Sequence, residues 1–121
     1  MKRSFLFFFC VLSTLGGNAL ADECDKLPLT YTVSNPMSVA EIETDNLKDL
    51  GGKLKVRPDL PRVPFGFINR EWESFKSRIE KGDSVVHFVS DERSWRSLAG
   101  REGYAILRKG CVLGTFTTMV N

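Results

Sequence analysis

Cys24 and Cys111 stand near the two ends of the chain that remains once its N-terminal segment is set aside, and joining them closes most of that chain into one loop. Such a tie restricts the fold to arrangements that bring the beginning and end of the domain together. On the chain-entropy model a loop of that span stabilises by about 4–5 kcal/mol, less any native strain. That is a large share of the roughly 5–15 kcal/mol by which a typical domain is stable. Whether the tie forms depends on the compartment, and the first residues of the chain speak to that.

Lys2 and Arg3 precede an uninterrupted apolar run, Phe5-Leu6-Phe7-Phe8-Phe9-Cys10-Val11-Leu12. Gly16, Gly17 and Asn18 break the run before Ala19-Leu20-Ala21, which supplies small residues on the upstream side of a cut after Ala21. This is the three-part pattern of a secretory signal peptide over residues 1–21. The run is far shorter than the about 20 apolar residues of a spanning helix. Phe8-Phe9 do not fit the small residues that precede a lipoprotein cysteine, which argues against an anchor on Cys10. Cleavage leaves residues 22–121, a length that suits one domain.

Export changes the charge and the thiol count. Of 17 Lys+Arg, Lys2 and Arg3 leave with the signal, so 15 remain against 15 Asp+Glu. A neutral balance gives no support to a nucleic-acid or anionic-membrane partner, and no stable membrane insertion is expected after cleavage. A composition of 42% hydrophobic and 26% charged residues excludes a disordered tail, a fibrous repeat and a polytopic membrane protein. Cys10 also leaves, and the remaining pair enters an oxidising compartment, periplasmic or extracellular, where a structural disulfide is expected. With no Cys-x-x-Cys and His87 as the only histidine, neither a redox pair nor a metal site is expected.

Along the domain, Leu29-Thr30-Tyr31-Thr32-Val33 suits a short edge strand. Ser38-Val-Ala-Glu41 has capping-box spacing and predicts a helix over 39–50, with Thr44-Asp45-Asn46 as poor helix formers within it and Gly51-Gly52 as its stop. Lys53-Leu-Lys-Val-Arg57 reads as a short strand, followed by an extended crossing through Pro58, Pro61 and Pro64. Asn69 is placed to cap a helix over 70–81, with Trp72, Phe75 and Ile79 on one face and Gly82-Asp83 at its end.

Ser84-Val-Val-His-Phe-Val-Ser90 is nearly continuous in apolar residues and predicts a central strand. A helical turn over 93–99 follows. Residues 103–108 and 111–120 form a hairpin across Lys109-Gly110, in which Arg108 faces Cys111, Ile106 faces Leu113 and Tyr104 faces Thr115. Leu107/Val112 and Ala105/Gly114 fall on the opposite face. The expected fold is α+β: an antiparallel sheet of three to five strands with a C-terminal hairpin, and one or two helices packed on one face.

The catalytic inventory is thin. His87 lies mid-strand, Ser90 and Asp91 follow it closely, and no carboxylate pair or phosphate-binding glycine loop stands out. The densest segment is 90–104, with Arg93, Arg96, Arg101, Trp95 and Tyr104 between two strands. Its pattern Trp95-x-x-Leu98-Ala99-Gly100-Arg101-x-Gly103-Tyr104, followed by a hairpin and a short tail, resembles a group of small exported bacterial proteins that have no established activity. The resemblance covers residues 69–121 and supports the domain without implying a function.

The same segment has two physical explanations. As scaffold, Trp95 and Leu98 cap the core, Gly100 ends the turn, Gly103 permits an unusual backbone angle, and Arg101 holds the connection through carboxylate or carbonyl contacts. As a recognition edge, Arg93, Trp95, Arg96, Arg101 and Tyr104 supply the residue types enriched at binding hot spots. The expected function is a non-catalytic binding protein acting on an envelope protein without a cofactor: an inhibitor, an immunity-type factor or an accessory subunit. The competing expectations are an envelope hydrolase or transferase using His87, and a structural subunit of an envelope assembly.

Overall fold

Four antiparallel strands form one sheet in the order β1-β2-β3-β4 in the computed structural model, which describes residues 24–121. They are β1 (Thr32–Val33), β2 (Ser84–Val89), β3 (Arg101–Arg108) and β4 (Cys111–Val120). Three α-helices lie among the described residues: α1 (Val39–Lys53), α2 (Asn69–Lys76) and the short α3 (Glu92–Arg96). A 3₁₀ turn, Gly66–Ile68, leads into α2. The signal-peptide assignment lies outside the described residues. Among those described, no helix is long and apolar enough to cross a membrane.

The α+β expectation holds, with the hairpin at the C-terminal end. β1 is an edge strand of two residues, prolonged past Asn35-Pro36 by a bridge in which Met37 N–H donates to the Val85 carbonyl over 2.8 Å. Pro36 has no donor for a ladder, so the edge stays short. β2 is central, as its apolar run implies, and alternates between two buried faces.

One face carries the main core of Ile42, Trp72, Phe75, Val85, Ile106 and Phe116, under α1 and α2. The other buries Val86, Phe88 and Ala105 beneath Leu27 and Tyr31 of the N-terminal segment. That segment is fastened by the Cys24–Cys111 disulfide, with an S–S distance of 2.07 Å and Cα atoms 5.7 Å apart. Next to it, Val112 N–H donates to the Asp25 carbonyl over 2.8 Å. The bond therefore holds a thin cover over a hydrophobic face.

α1 starts where the capping box predicts. Ser38 Oγ accepts from Glu41 N–H over 3.0 Å, and Glu41 Oε1 accepts from Ser38 N–H over 3.2 Å. It does not stop at Gly51-Gly52, however, but runs to Lys53. Glycine costs only about 1 kcal/mol in a helix, and the burial of Leu50 anchors the last turn.

Lys53–Arg57 is consequently helix end and turn rather than strand, with Val56 and Arg57 N–H both donating to the Lys53 carbonyl. The weak stretch Thr44-Asp45-Asn46 is held by tertiary contacts instead of propensity. Asn46 Oδ1 accepts from Phe65 N–H over 2.7 Å, while neighbouring Glu43 Oε2 accepts from both Trp72 Nε1 and Lys76 Nζ at 2.7 Å.

α2 is shorter than its sequence period. Asn69 is its first helical residue and donates to the Pro64 carbonyl, and the helix ends at Lys76 rather than near Gly82. Ile79 still reaches the core from the turn beyond. Phe65 takes a left-handed backbone, φ 65°, which points its ring at Trp72 and Phe116, each 4.8 Å away between centroids. Left-handed aromatics are uncommon, and the buried ring contacts and the Asn46 bond over-determine this one.

The hairpin turns at Lys109-Gly110 with both φ angles positive, 53° and 82°, the geometry of a tight turn matched to strand twist. Arg108–Cys111 and Leu107–Val112 pair as expected. Beyond them a β-bulge makes Leu113 an extra residue, so Ile106 faces Gly114, Ala105 faces Thr115 and Tyr104 faces Phe116. The expected Ile106–Leu113, Ala105–Gly114 and Tyr104–Thr115 pairs are thereby displaced. A one-residue slip exchanges the two faces of a strand. Here it sends Phe116 into the core and Thr115 to the surface. The Arg78 guanidinium occupies the bulge, donating to the Leu113 carbonyl and lying where a Cβ on Gly114 would stand.

Gly103 is needed for closeness rather than for an unusual angle. Its backbone φ is not positive, but a Cβ there would collide with the Phe116 carbonyl and come within 2.9 Å of Thr117 Cα. Gly103→Ala is therefore expected to cost more than about 2 kcal/mol in urea unfolding. Gly51→Ala, helical and with nothing within 4 Å, is expected to gain about 0.5–1 kcal/mol.

The clasp between α1 and α2 has its own signature. The Lys76 ammonium, then the Trp72 indole, hold the Glu43 carboxyl below the usual range despite its partial burial. Its stabilisation is complete above the ordinary glutamate range near pH ~4.3 and is lost as pH falls through the lower folded value. The stability gap between wild type and Glu43→Gln should be constant near neutrality and shrink toward zero as urea midpoints are followed into acid.

Candidate functional site

The helix-facing side of the sheet is not filled from end to end. Past the Trp72–Phe116 cluster it opens into a cleft of about 470 Å³. The walls are the last two turns of α1, from Asn46 to Lys53, and the proline-rich crossing from Leu60 to Ile68. The floor is His87, Glu102 and Tyr104, with Thr118 and Met119 at the β4 edge.

Strand pairing builds that floor. His87 is opposite Tyr104 across β2 and β3, and Glu102, two residues before Tyr104, shares its face. His87 Nε2 lies 3.0 Å from Glu102 Oε2, each side chain about 30% exposed. The imidazole meets the Tyr104 ring edge-on at 5.1 Å, and Phe65 meets it at 5.9 Å from the core side. A second bulge, between Glu102 and Gly103, leaves Thr118 as the extra residue, and its hydroxyl donates to the Glu102 carbonyl over 3.2 Å. Burial, then the charges of Glu102 and Asp45, push the Tyr104 hydroxyl above its usual range. It therefore stays protonated and able to donate.

Above this polar floor the rim is apolar. Phe67 is 62% exposed and Met119 54% exposed on opposite sides of the opening. At the α1 side, Lys53 pairs with Asp49 at 3.0 Å in full view of solvent. The cleft offers an apolar lip, a protonated phenol and a histidine–carboxylate pair. Among the described residues no three His, Cys, Asp or Glu side chains converge as metal ligands.

The five residues of the dense segment do not form one patch. Arg93 and Arg96 are exposed on α3, where Arg96 pairs loosely with Glu92 at 3.6 Å. Trp95 is half-buried against its own loop: its Nε1 donates to the Ser90 carbonyl, and its ring fills the place a Cβ on Gly100 would take. Asn121 closes this loop from the chain end, accepting from Gly100 N–H over 2.8 Å and donating to the Trp95 carbonyl.

Arg101 and Tyr104 lie on opposite faces of β3, Tyr104 against the helix-side core and Arg101 over Phe88 on the N-terminal-segment side. Among the described residues Arg101 makes no carboxylate or carbonyl contact of the expected kind through its side chain, and its Nε is buried without a partner. Leu98, expected to cap the core, is 76% exposed, and it, not Gly100, takes the left-handed backbone that ends the turn.

Ser90 and Asp91 are likewise not brought to His87. The buried Ser90 Oγ accepts from Arg101 N–H over 2.8 Å. Asp91 caps α3 through Ser94 N–H and hydroxyl, bonds that hold its carboxyl below the usual range. The residue that does join His87 is Glu102, one of the nearby acids that the sequence leaves open without naming. Its signal is only the cross-strand register, which a single strand's pattern does not contain.

No protein family, curated protein or solved structure matches this chain.

Because burial is the larger cause, Tyr104 should ionise late in an alkaline ultraviolet titration, in a step absent from Tyr104→Phe. Glu102→Gln should move that step toward the ordinary tyrosine value without restoring it fully.

Proposed function

We propose that this protein is exported, loses residues 1–21, and acts as a small non-catalytic binding protein in the cell envelope, without a cofactor. Its partner is an envelope protein, toward which it serves as an inhibitor, an immunity-type factor or an accessory subunit. The surface that engages it is the cleft between α1 and the β3–β4 end of the sheet. The observation that carries this reading is the combination of an apolar rim, Phe67 and Met119, with a floor whose histidine and carboxylate are paired to each other. Exposed aromatic and methionine side chains around a concave site favour recognition. A histidine and a carboxylate that answer each other across the floor favour recognition over covalent chemistry. The disulfide suits an oxidising compartment. Kinship with the small exported bacterial proteins that carry the Trp95–Tyr104 pattern belongs to the same reading.

A second reading, a hydrolase or transferase using His87, draws on the Glu102 carboxylate 3.0 Å from the imidazole, which could orient it as a general base. Activity surviving in folded His87→Ala would eliminate that alternative. A structural subunit would instead run as a stable higher-order assembly in size-exclusion chromatography with native mass analysis.

The test is affinity capture from a non-reducing envelope extract with three baits. Wild type and Arg93→Ala/Arg96→Ala are expected to retain the same partner, and Phe67→Ala/Met119→Ala to lose it by at least tenfold, about 1.4 kcal/mol or more. All four substituted side chains are exposed, so the baits should fold alike. Loss in the arginine variant with retention in the cleft variant would move the site to α3.

A further inference from the structure

On the opposite face of the sheet, remote from the cleft by the thickness of the sheet, lies a second cavity of about 450 Å³. The N-terminal segment, residues 25–28 with Tyr31, forms one side; residues 112–115 of β4 form the other; Arg101 lies between them. Arg101 is fixed where β3 begins. Its N–H donates to Ser90 Oγ over 2.8 Å, and its carbonyl accepts from Ser90 N–H over 2.9 Å. Its guanidinium carbon sits 5.3 Å from the centroid of the fully buried Phe88 ring, which Tyr31 stacks against at 5.9 Å.

A guanidinium so placed normally has an acceptor. Arg108, partly buried like Arg101, has Asp83. Arg101 has none among the described residues, and its Nε is buried with no hydrogen-bond partner. Asp25, the acid of the cavity wall, forms no ion pair with it, and Lys26 adds a second cation to the same wall. Its place over the Phe88 ring gives a cation–π contact but leaves its donors unanswered. A planar fork with fixed backbone and no acceptor among the described residues is matched to carboxylate or phosphate oxygens.

We propose that this groove binds an anionic group, a carboxylate or a phosphate, through Arg101 with Lys26 in support. It is a site separate from the cleft and does not depend on the function proposed for it.

The experiment titrates the oxidised mature domain with inorganic phosphate and, separately, acetate at constant ionic strength, with chloride as control. The readout is the Arg101 Nε–Hε resonance, together with the Tyr31 and Thr115 amides. A saturable shift of these signals with phosphate or acetate and not with chloride is expected, and the tighter of the two identifies the oxyanion preferred. In Arg101→Gln the amide shifts should weaken by at least about tenfold in apparent affinity, as loss of a charged fork implies. Shifts that do not saturate, match those with chloride or persist unchanged in Arg101→Gln would overturn the proposal. If that variant does not fold, the wild-type Nε–Hε titration decides by itself.

Discussion

The rest of the sheet depends on one extra residue in β4. Leu113 is unpaired opposite the Ile106–Leu107 step, and from that point to the second bulge at Thr118 the side chains of β4 change face relative to a regular hairpin. Phe116 thereby joins Phe65, Trp72 and Phe75, meeting Phe65 edge-on and Trp72 and Phe75 at tilted angles within the core. Without the bulge a threonine would occupy that position and a phenylalanine would face solvent. Burying an aromatic side chain is worth about 1.5–3 kcal/mol, more than the ladder disruption of a bulge that Arg78 spans. The close approach of Gly103 to the Phe116 carbonyl belongs to the same arrangement.

The two faces of this sheet are covered unequally, and the possible sites follow from that. Helices α1 and α2 cover one face thickly but stop short of its end, which leaves the His87–Glu102–Tyr104 floor open. Among the described residues, the other face has only residues 24–31 over it, held down by a disulfide and by Leu27 and Tyr31. A narrow segment cannot fill the width of a sheet, so a groove remains beside it with Arg101 at its wall. Residues adjacent in sequence, Arg101 and Glu102, thus serve different faces and different cavities.

Local signals were legible wherever the deciding contacts lie within about four residues. The Ser38–Glu41 box, the Trp72/Phe75 spacing and the Lys109-Gly110 turn each work through neighbours in sequence, and each appears as its pattern implies. Gly51-Gly52 misled because a helix end depends on what its last turn buries, here Leu50. Lys53–Arg57 alternates like a strand but has no partner strand to pair with. Leu98 looked like a core residue from its spacing to Trp95. The five-residue turn of α3 is too short to bring both side chains to one surface.

By itself the sequence determined the α+β class, the order of its main elements and the one cysteine pairing open to residues 22–121, because capping, periodicity, turn chemistry and cysteine arithmetic are properties of the chain. Only the tertiary structure decided the register beyond Leu113, the partner of His87 and the burial of Arg101 Nε without one. Those outcomes rest on competition between residues distant in sequence: Phe116 against Thr115 for the space beside Trp72, and Glu102 against Ser90 or Asp91 for the imidazole. Such competition is resolved by packing, which a one-dimensional pattern does not encode.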